Sequence, residues 1–267
     1  MKVLITGAFG YFGTALRRRL AAEHKVFAVG RTAAATLEAR DVADTEAIVH
    51  LAGGGAPGGH SPDPRAAHCD NVESALRILA IAAPGTRLIL ASTIYVYGTG
   101  SRPFVESDDR RPDTLYGQLK AVAEAVWRQH GGVALRFSHI YGPGGDPARD
   151  GVTERLARAA AGWGTFQLHG NGRQGIDLVH IDDACEAVAL ALRGKDLPPA
   201  VNIGGGAAVS VAHLARVFLG GMPPMELPVV ERALDITLAQ EALGWAPRVT
   251  LPEGARRLIA QTKEAQR

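Results

Sequence analysis

Short hydrophobic runs alternate with amphipathic stretches along the first half of the chain. The runs read as buried strands, at residues 3–5, 26–29, 48–51, 88–91 and 133–137. Three longer stretches carry apolar residues at helical spacing, at residues 11–23, 66–82 and 115–129. Strands that alternate with helices are typical of a parallel sheet covered on both faces. The pattern therefore predicts an α/β fold with a doubly wound parallel sheet.

A glycine-rich turn follows the first predicted strand and opens the first predicted helix. It has the spacing GxxGxxG within Thr6-Gly7-Ala8-Phe9-Gly10-Tyr11-Phe12-Gly13. Glycine permits a tight turn and lets a pyrophosphate approach the backbone amides at the positive end of a helix. The turn thus predicts a Rossmann-type dinucleotide site with cofactor contacts from Gly7, Phe9, Gly10, Tyr11, Phe12 and Gly13.

The end of the second predicted strand bears on the choice of cofactor. NAD-selective sites place a carboxylate here to bind the ribose hydroxyls, whereas this chain has Gly30-Arg31-Thr32. An arginine can bind the 2′-phosphate of NADP instead. The sequence therefore favours NADP over NAD, with a plain surface arginine as the alternative interpretation of Arg31.

The alternation of strands and helices weakens after Gly142. A strand and a helix return at residues 176–192. We therefore predict two units: a dinucleotide-binding domain at 1–142 and about 176–203, and a small C-terminal substrate-binding lobe at 143–175 and 204–267. Glycine and proline predict loops at 53–64 and 142–151. The first loop reads as a connector in preference to a mobile lid.

Tyr116 and Lys120 are four residues apart on a predicted helix, so their side chains reach one face. An ammonium beside a phenol stabilises the phenolate, which lets the tyrosine exchange a proton with a substrate oxygen. Thr93, at the end of a predicted strand, supplies a hydroxyl to orient that oxygen. The YxxxK spacing alone also fits an amphipathic surface helix, and its weight comes from the neighbouring motifs.

In their order along the chain, these motifs resemble the extended short-chain dehydrogenase/reductase family, which includes NAD-dependent epimerases and dehydratases. Further segments carry the resemblance, at residues 92–98, 135–143, 178–184, 201–204 and 243–247. It implies a catalytic triad of Thr93, Tyr116 and Lys120. It also implies cofactor contacts from Tyr116 and Lys120 and from Asp41, Val42, Leu51, Ala52, Gly53, His139 and Ile140. The candidates for substrate binding are Ser92, Thr93, Tyr95, His139 and Arg173.

The chain departs from the family pattern at three places. His139 replaces an asparagine of the sugar-nucleotide epimerases and Ile176 replaces an arginine, for which Arg173 or Arg149 can substitute. Ile94-Tyr95 replaces the Asp-Glu of the dehydratases, which disfavours sugar dehydration.

The leading hypothesis is an NADP-dependent oxidoreductase that interconverts a carbonyl and a secondary alcohol on a sugar-like or small polar metabolite. A nucleotide-sugar 4-epimerase or 4-ketoreductase would use the same triad. A non-catalytic NADP-binding regulator is the third interpretation, and it would be expected to carry a broken triad.

Charge and cysteine content narrow the class of protein further. The formal net charge of +2 disfavours a nucleic-acid partner. Cys69 and Cys185 are too few for a disulfide framework, and the dispersed histidines give no support for a metal. No apolar run of about 18 residues predicts a membrane span. We expect a cytoplasmic enzyme with a small-molecule substrate; the resemblance implies a homodimer formed through helices 66–82 and 115–129.

Overall fold

The structure is a computed structural model that describes residues 1–30, 34, 36–54, 63–145, 151–168, 170–220 and 232–265. Its strands are, in chain order, β1 Lys2–Thr6, β2 Lys25–Val29, β3 Ala47–His50, β4 Arg87–Thr93, β5 Val133–Phe137, β6 His139–Tyr141, β7 Gly175–His180, β8 Ala200–Ile203 and β9 Ala208–Ser210. Its helices are α1 Tyr11–Leu20, α2 Ala39–Val42, α3 Pro64–His68, α4 Ser74–Ile81, α5 Leu115–Gln129, α6 Val152–Ala160, α7 Ile181–Arg193, α8 Val211–Leu219, α9 Thr237–Leu243 and α10 Leu251–Glu264.

The main sheet has six parallel strands in the order β2-β1-β3-β4-β5-β8. Val3 and Ile5 pack on one face with α1 and α7, while Leu4 packs on the other face with α4 and α5. Both faces are covered, which explains why strand residues are hydrophobic without alternation. The predicted doubly wound α/β fold is confirmed.

The strand order reverses between β1 and β3, so the chain leaves these two neighbouring strands in opposite directions across the sheet. In an open parallel sheet, ligands bind at the carboxyl ends of the strands beside such a reversal. The glycine turn follows β1 at this place. The fold thus positions the predicted dinucleotide site.

One helical segment differs from the sequence prediction in detail. The predicted helix at residues 66–82 is divided by a π-helical turn at Cys69–Glu73, which separates α3 from α4. The connection from β2 to β3 is short and contains the four-residue α2. Arg31, residues 55–62 of the first predicted loop and residues 146–150 of the second lie outside the described residues.

A second sheet is formed by β6, β7 and β9. β7 pairs in parallel with β6 and antiparallel with β9. Leu156 of α6, Leu214 of α8 and Leu258 of α10 form a hydrophobic cluster beside this sheet. By contrast, Trp245 joins the core of the main sheet and donates from Nε1 to the Asp183 carbonyl at 2.9 Å. The predicted domain boundaries stay a prediction.

No helix in the described part of the chain is long and apolar enough to cross a membrane. Cys69 is exposed and Cys185 is buried, and both are free thiols. The cytoplasmic setting stays a prediction.

Candidate active site

The glycine turn is tightly packed between β1, β3 and α1. Gly7 has a φ of +69°, which favours glycine, and a Cβ placed there would lie 2.9 Å from the Ala52 backbone nitrogen. A Cβ at Gly13 would lie 2.2 Å from the Gly7 carbonyl oxygen. α1 starts at Tyr11, directly after Gly10, so its positive end faces the turn. The site therefore has the backbone needed for close approach of a pyrophosphate.

Two adjoining cavities extend from this turn along the carboxyl edge of the main sheet. One, of about 510 Å³, is lined by the glycine turn, the end of β3 and residues of the π-helical turn and α4. The other, of about 770 Å³, contains Thr93, Tyr116 and Lys120 in its wall. The cavities share the residues Phe9, Gly10, Tyr11, Phe12, Leu51 and Gly53. A single elongated ligand can thus pass from one to the other.

Tyr116 and Lys120 lie on the first half of α5, which begins after a capping threonine. Thr114 Oγ1 accepts a hydrogen bond from the Gly117 amide at 3.1 Å and fixes the start of the helix. Lys120 is 4% exposed, and its Nζ donates to the Ala91 carbonyl at 3.0 Å. Burial lowers the pKa of Lys120 to about 8. The ammonium therefore stays mostly protonated at neutral pH.

Asn71, in the π-helical turn, brings a second polar atom close to Lys120. A Cβ at Gly53 would lie 2.7 Å from Asn71 Oδ1 and 2.9 Å from Lys120 Nζ, so both atoms converge on Gly53. Asn71 Oδ1 is buried and accepts no hydrogen bond among the described residues. Its Nδ2 donates to the carbonyls of Gly54 and Ala67. The unsatisfied oxygen marks a place for a water or ligand donor beside the lysine.

Thr93 and Ser92 direct their hydroxyl groups to different partners. Thr93 Oγ1 accepts from the Tyr95 amide at 3.4 Å, at the start of a short 3₁₀ turn. Ser92 Oγ donates to Glu124 Oε2 at 2.9 Å. Successive strand residues point to opposite faces of a sheet, which explains why the two hydroxyl groups have different partners. Ser92 lines the cavity, but its hydroxyl is engaged by α5.

The far end of the larger cavity is built around Tyr95. Its hydroxyl donates to His139 Nε2 at 3.0 Å, and His139 Nδ1 donates to the Asp177 carbonyl at 3.2 Å. Burial lowers the pKa of His139, so the imidazole is neutral near pH 7. The Tyr95 ring also meets the Tyr116 ring edge to face, with centroids 6.1 Å apart.

Arg232 is a residue of this region that the sequence reasoning missed. Its guanidinium lies 5.0 Å from the Tyr95 ring centroid, and it bonds to Thr99 and Asp113. Arg232 Nε is buried and has no partner in the described part of the chain. Arg232 lies 116 positions after Tyr116 in the sequence. The sequence alone shows it only as a basic residue three positions before Asp235 and ahead of the matched segment 243–247.

Most of the predicted site residues line one of the two cavities: Gly7, Phe9, Gly10, Tyr11, Phe12, Gly13, Leu51, Ala52, Gly53, Ser92, Thr93, Tyr95, Tyr116, Lys120, His139 and Ile140. The structure does not bring Asp41, Val42 or Arg173 to either cavity. Asp41 accepts a hydrogen bond from the Glu38 amide and caps α2, and Val42 is 1% exposed in the core. The cofactor contacts expected of Asp41 and Val42 stay a prediction.

A glycine turn at the end of β1, joined by a cavity to a hydroxyl, a tyrosine and a buried lysine, defines a dinucleotide-dependent site of the oxidoreductase class. Residues 3–204 match the NAD dependent epimerase/dehydratase family. The chain belongs to this family, and it is an NAD(P)-dependent enzyme of the extended short-chain dehydrogenase/reductase type.

Individual relatives cover nearly the whole chain. It is 30% identical to the dTDP-6-deoxy-L-talose 4-dehydrogenase (NAD(P)(+)) of Kitasatospora kifunensis, over 96% of this chain and 94% of that protein. It is 28% identical to the UDP-glucose 4-epimerase of Mycolicibacterium smegmatis, over 99% of this chain and 98% of that protein. The solved structure of MoeE5 in complex with UDP-glucose and NAD has a TM-score of 0.86 and 28% identity, and the match covers 100% of both chains.

Proposed function

We propose that the protein is a dehydrogenase or reductase that interconverts a secondary alcohol and a carbonyl on the sugar of a nucleoside-diphosphate sugar. The observation that carries this proposal is the wall of the larger cavity, where Thr93, Tyr116 and Lys120 adjoin the glycine turn. The named dehydrogenase relative supports the same reaction class.

Each side chain has a separate role in the proposed reaction. When bound, the nicotinamide supplies or accepts the hydride. Tyr116 gives a proton to the substrate oxygen in reduction and takes it in oxidation. Lys120 holds a positive charge beside it, because its pKa of about 8 keeps the ammonium protonated at neutral pH. Thr93 donates a hydrogen bond to the same oxygen.

Arg232 supports a diphosphate-bearing substrate. It supplies a cation in place of the family arginine that Ile176 replaces, and it lies over the ring of Tyr95, which itself lines the larger cavity. An arginine binds phosphate oxygens through charge-assisted hydrogen bonds, each worth about 1.5 to 3 kcal/mol. Calorimetric titration with uridine and thymidine diphosphate tests this proposal, with Arg102→Ala as an exposed control. The proposal is supported if the nucleotides bind and Arg232→Ala weakens this binding while Arg102→Ala does not. The absence of binding heat with both nucleotides would contradict it.

The choice between NADP and NAD belongs to this proposal. Arg31 and the missing carboxylate favour NADP, while the related MoeE5 structure contains NAD. We propose that the enzyme accepts both, with NADPH bound more tightly. Dissociation constants from the fluorescence of NADPH and NADH test the preference, and tighter binding of NADH would overturn it.

A 4-epimerase is the second candidate, because the mycobacterial UDP-glucose 4-epimerase matches over almost its full length. An epimerase regenerates its cofactor within each cycle, whereas a dehydrogenase accumulates reduced cofactor. Incubation with UDP-glucose and NAD or NADP distinguishes them. Formation of UDP-galactose without net reduction of the cofactor would favour the epimerase.

We also propose that two copies of the chain associate through α4 and α5. Leu76 and Val122 are large hydrophobic residues on these neighbouring helices, and they are 45% and 48% exposed. Burial of such residues in an interface is favourable. Light scattering of the purified protein tests the proposal. A molar mass of two chains is expected, and a molar mass of one chain would contradict it.

A further inference from the structure

Three metal-ligating side chains converge where α3 passes into the π-helical turn. His68, Cys69 and Glu73 place one ligand atom each within 4.8 Å of the others. His68 Nδ1 and Glu73 Oε1 are 3.4 Å apart. All three residues are exposed, so a cation can reach them from solvent.

The π-helical turn accounts for this convergence. In an α-helix, residues three or four apart share a face, and residues five apart do not. Hydrogen bonding from i to i+5 widens the turn and brings His68 and Glu73 to the same side. The chain therefore presents a ligand pair that a regular helix would separate. Such turns are frequent at functional sites.

The chemistry of the three ligands selects the cation. Imidazole, thiolate and carboxylate bind Zn²⁺ at about 2.0 to 2.3 Å, which places tetrahedral ligands roughly 3.3 to 3.8 Å apart. The observed spacings need only small side-chain rotations to reach this range. A hard cation such as Mg²⁺ prefers oxygen ligands alone. The set therefore fits Zn²⁺, with a coordination position left for water.

The electrostatic surroundings also favour a cation. The carboxylates of Glu73, Asp70 and Asp63 surround the Cys69 thiol with negative charge. A bound metal ion takes the thiolate as its ligand, and the thiol proton passes to solvent. No oxidation or reduction accompanies the exchange of the S–H bond for a metal–sulfur bond.

We propose that His68, Cys69 and Glu73 bind a zinc-type divalent cation, and that this cation and the dinucleotide oppose each other's binding. Cys69 and Glu73 line the smaller cavity together with the glycine turn. A bound ion would draw these two side chains together and place its own water at the cavity rim. The opposition rests on the proposed function, in which the dinucleotide binds at the glycine turn, whereas the metal site itself does not.

Cobalt is a suitable probe, because a thiolate ligand gives Co²⁺ a charge-transfer absorption band in the near ultraviolet. Cys185 provides a matched control, since its thiol is 2% exposed and burial raises its pKa to about 12. Titration of the metal-free full chain with Co²⁺ is expected to give the band in the wild type and in Cys185→Ser. Cys69→Ser is expected to lose it, and Glu73→Gln to weaken Co²⁺ binding about tenfold.

Absence of the band in the wild type, or its loss in Cys185→Ser and not in Cys69→Ser, would overturn the metal site. The opposition is tested separately through the dissociation constant of NADH with and without Zn²⁺. Thermodynamic linkage requires Zn²⁺ to weaken NADH binding by the factor by which NADH weakens Zn²⁺ binding. The opposition would be overturned if the dissociation constant of NADH were unchanged at saturating Zn²⁺, or if Zn²⁺ raised it equally in wild type and in Cys69→Ser. Because the cobalt band needs no cofactor, the two failures are distinguishable.

Discussion

Arg136 and Glu124 form an ion pair that is almost completely removed from solvent. Arg136 Nε donates to Glu124 Oε2 at 3.1 Å, and the two residues are 1% and 0% exposed. The same carboxylate accepts from Ser92 Oγ at 2.9 Å. Ser92 precedes Thr93 on β4, and Glu124 follows Lys120 by one turn on α5. The pair therefore fixes the strand and the helix that carry the proposed triad.

Glu124→Gln is expected to destabilise the protein by about 3 to 5 kcal/mol, because it leaves the buried Arg136 without a counter-charge. Arg128→Ala is the matched control, since Arg128 lies 3.7 Å from the same carboxylate but is one-third exposed. Its loss should cost about 1 kcal/mol or less. Urea unfolding of both variants gives the comparison. Equal losses of unfolding free energy would show that the buried pair has no special role.

Tyr116→Phe removes the proposed proton donor and keeps the ring that packs against Tyr95. Turnover should fall by about 10²- to 10⁴-fold, which is the range for one acid/base group. The dissociation constants for NADH and NADPH should stay close to wild type. Steady-state kinetics and fluorescence titration measure the two effects. Turnover similar to wild type would remove Tyr116 from the mechanism.

Thr93→Val and Ser92→Ala form a matched pair of neighbouring hydroxyl deletions. Thr93→Val should lower kcat by roughly 10²-fold, the scale for loss of one donor to a developing charge. Ser92→Ala should lower stability by about 1 to 3 kcal/mol, because Glu124 loses a buried hydrogen bond, and should reduce kcat less. The assignment of Thr93 fails if Ser92→Ala has the larger effect on kcat.

Lys120→Met should stabilise the fold at pH 7 while it abolishes turnover. The pKa of Lys120 is about 8 in the folded protein, against an ordinary value of 10.5, which corresponds to roughly 3 kcal/mol for burying the ammonium. Between these values the unfolded chain holds the proton and the folded chain does not, so wild-type stability should rise as the pH increases from 8 to 10.5. Denaturant unfolding across this pH range measures the difference between the two proteins. A Lys120→Met protein that is less stable than wild type at pH 7 would contradict the claim that the buried ammonium destabilises the fold.

The hydrophobic pattern predicted the fold because a parallel sheet buries both faces of its strands, as Val3, Leu4 and Ile5 illustrate. The spacing of Tyr116 and Lys120 predicted their shared position because it depends only on helix geometry. Arg232 could not be placed in this way, since its contact with Tyr95 depends on how distant segments fold together.

Local backbone geometry sets the contacts of two further segments. The π-helical turn at Cys69–Glu73 changes which side chains share a face, and a search for helical spacing does not detect it. Asp41 matches a cofactor-contact pattern in sequence, and that contact stays a prediction; in the structure its carboxylate caps α2. In both cases the local hydrogen bonding, more than the residue type, decides what a side chain does.

A crystal structure of the enzyme with bound NAD or NADP tests the central claim most directly. The account predicts the pyrophosphate on the backbone of the Gly7 to Gly13 turn and the nicotinamide C4 in the larger cavity, with the Tyr116 hydroxyl beside it. A nicotinamide ring outside the cavity formed by Thr93, Tyr116 and Lys120 would contradict the account.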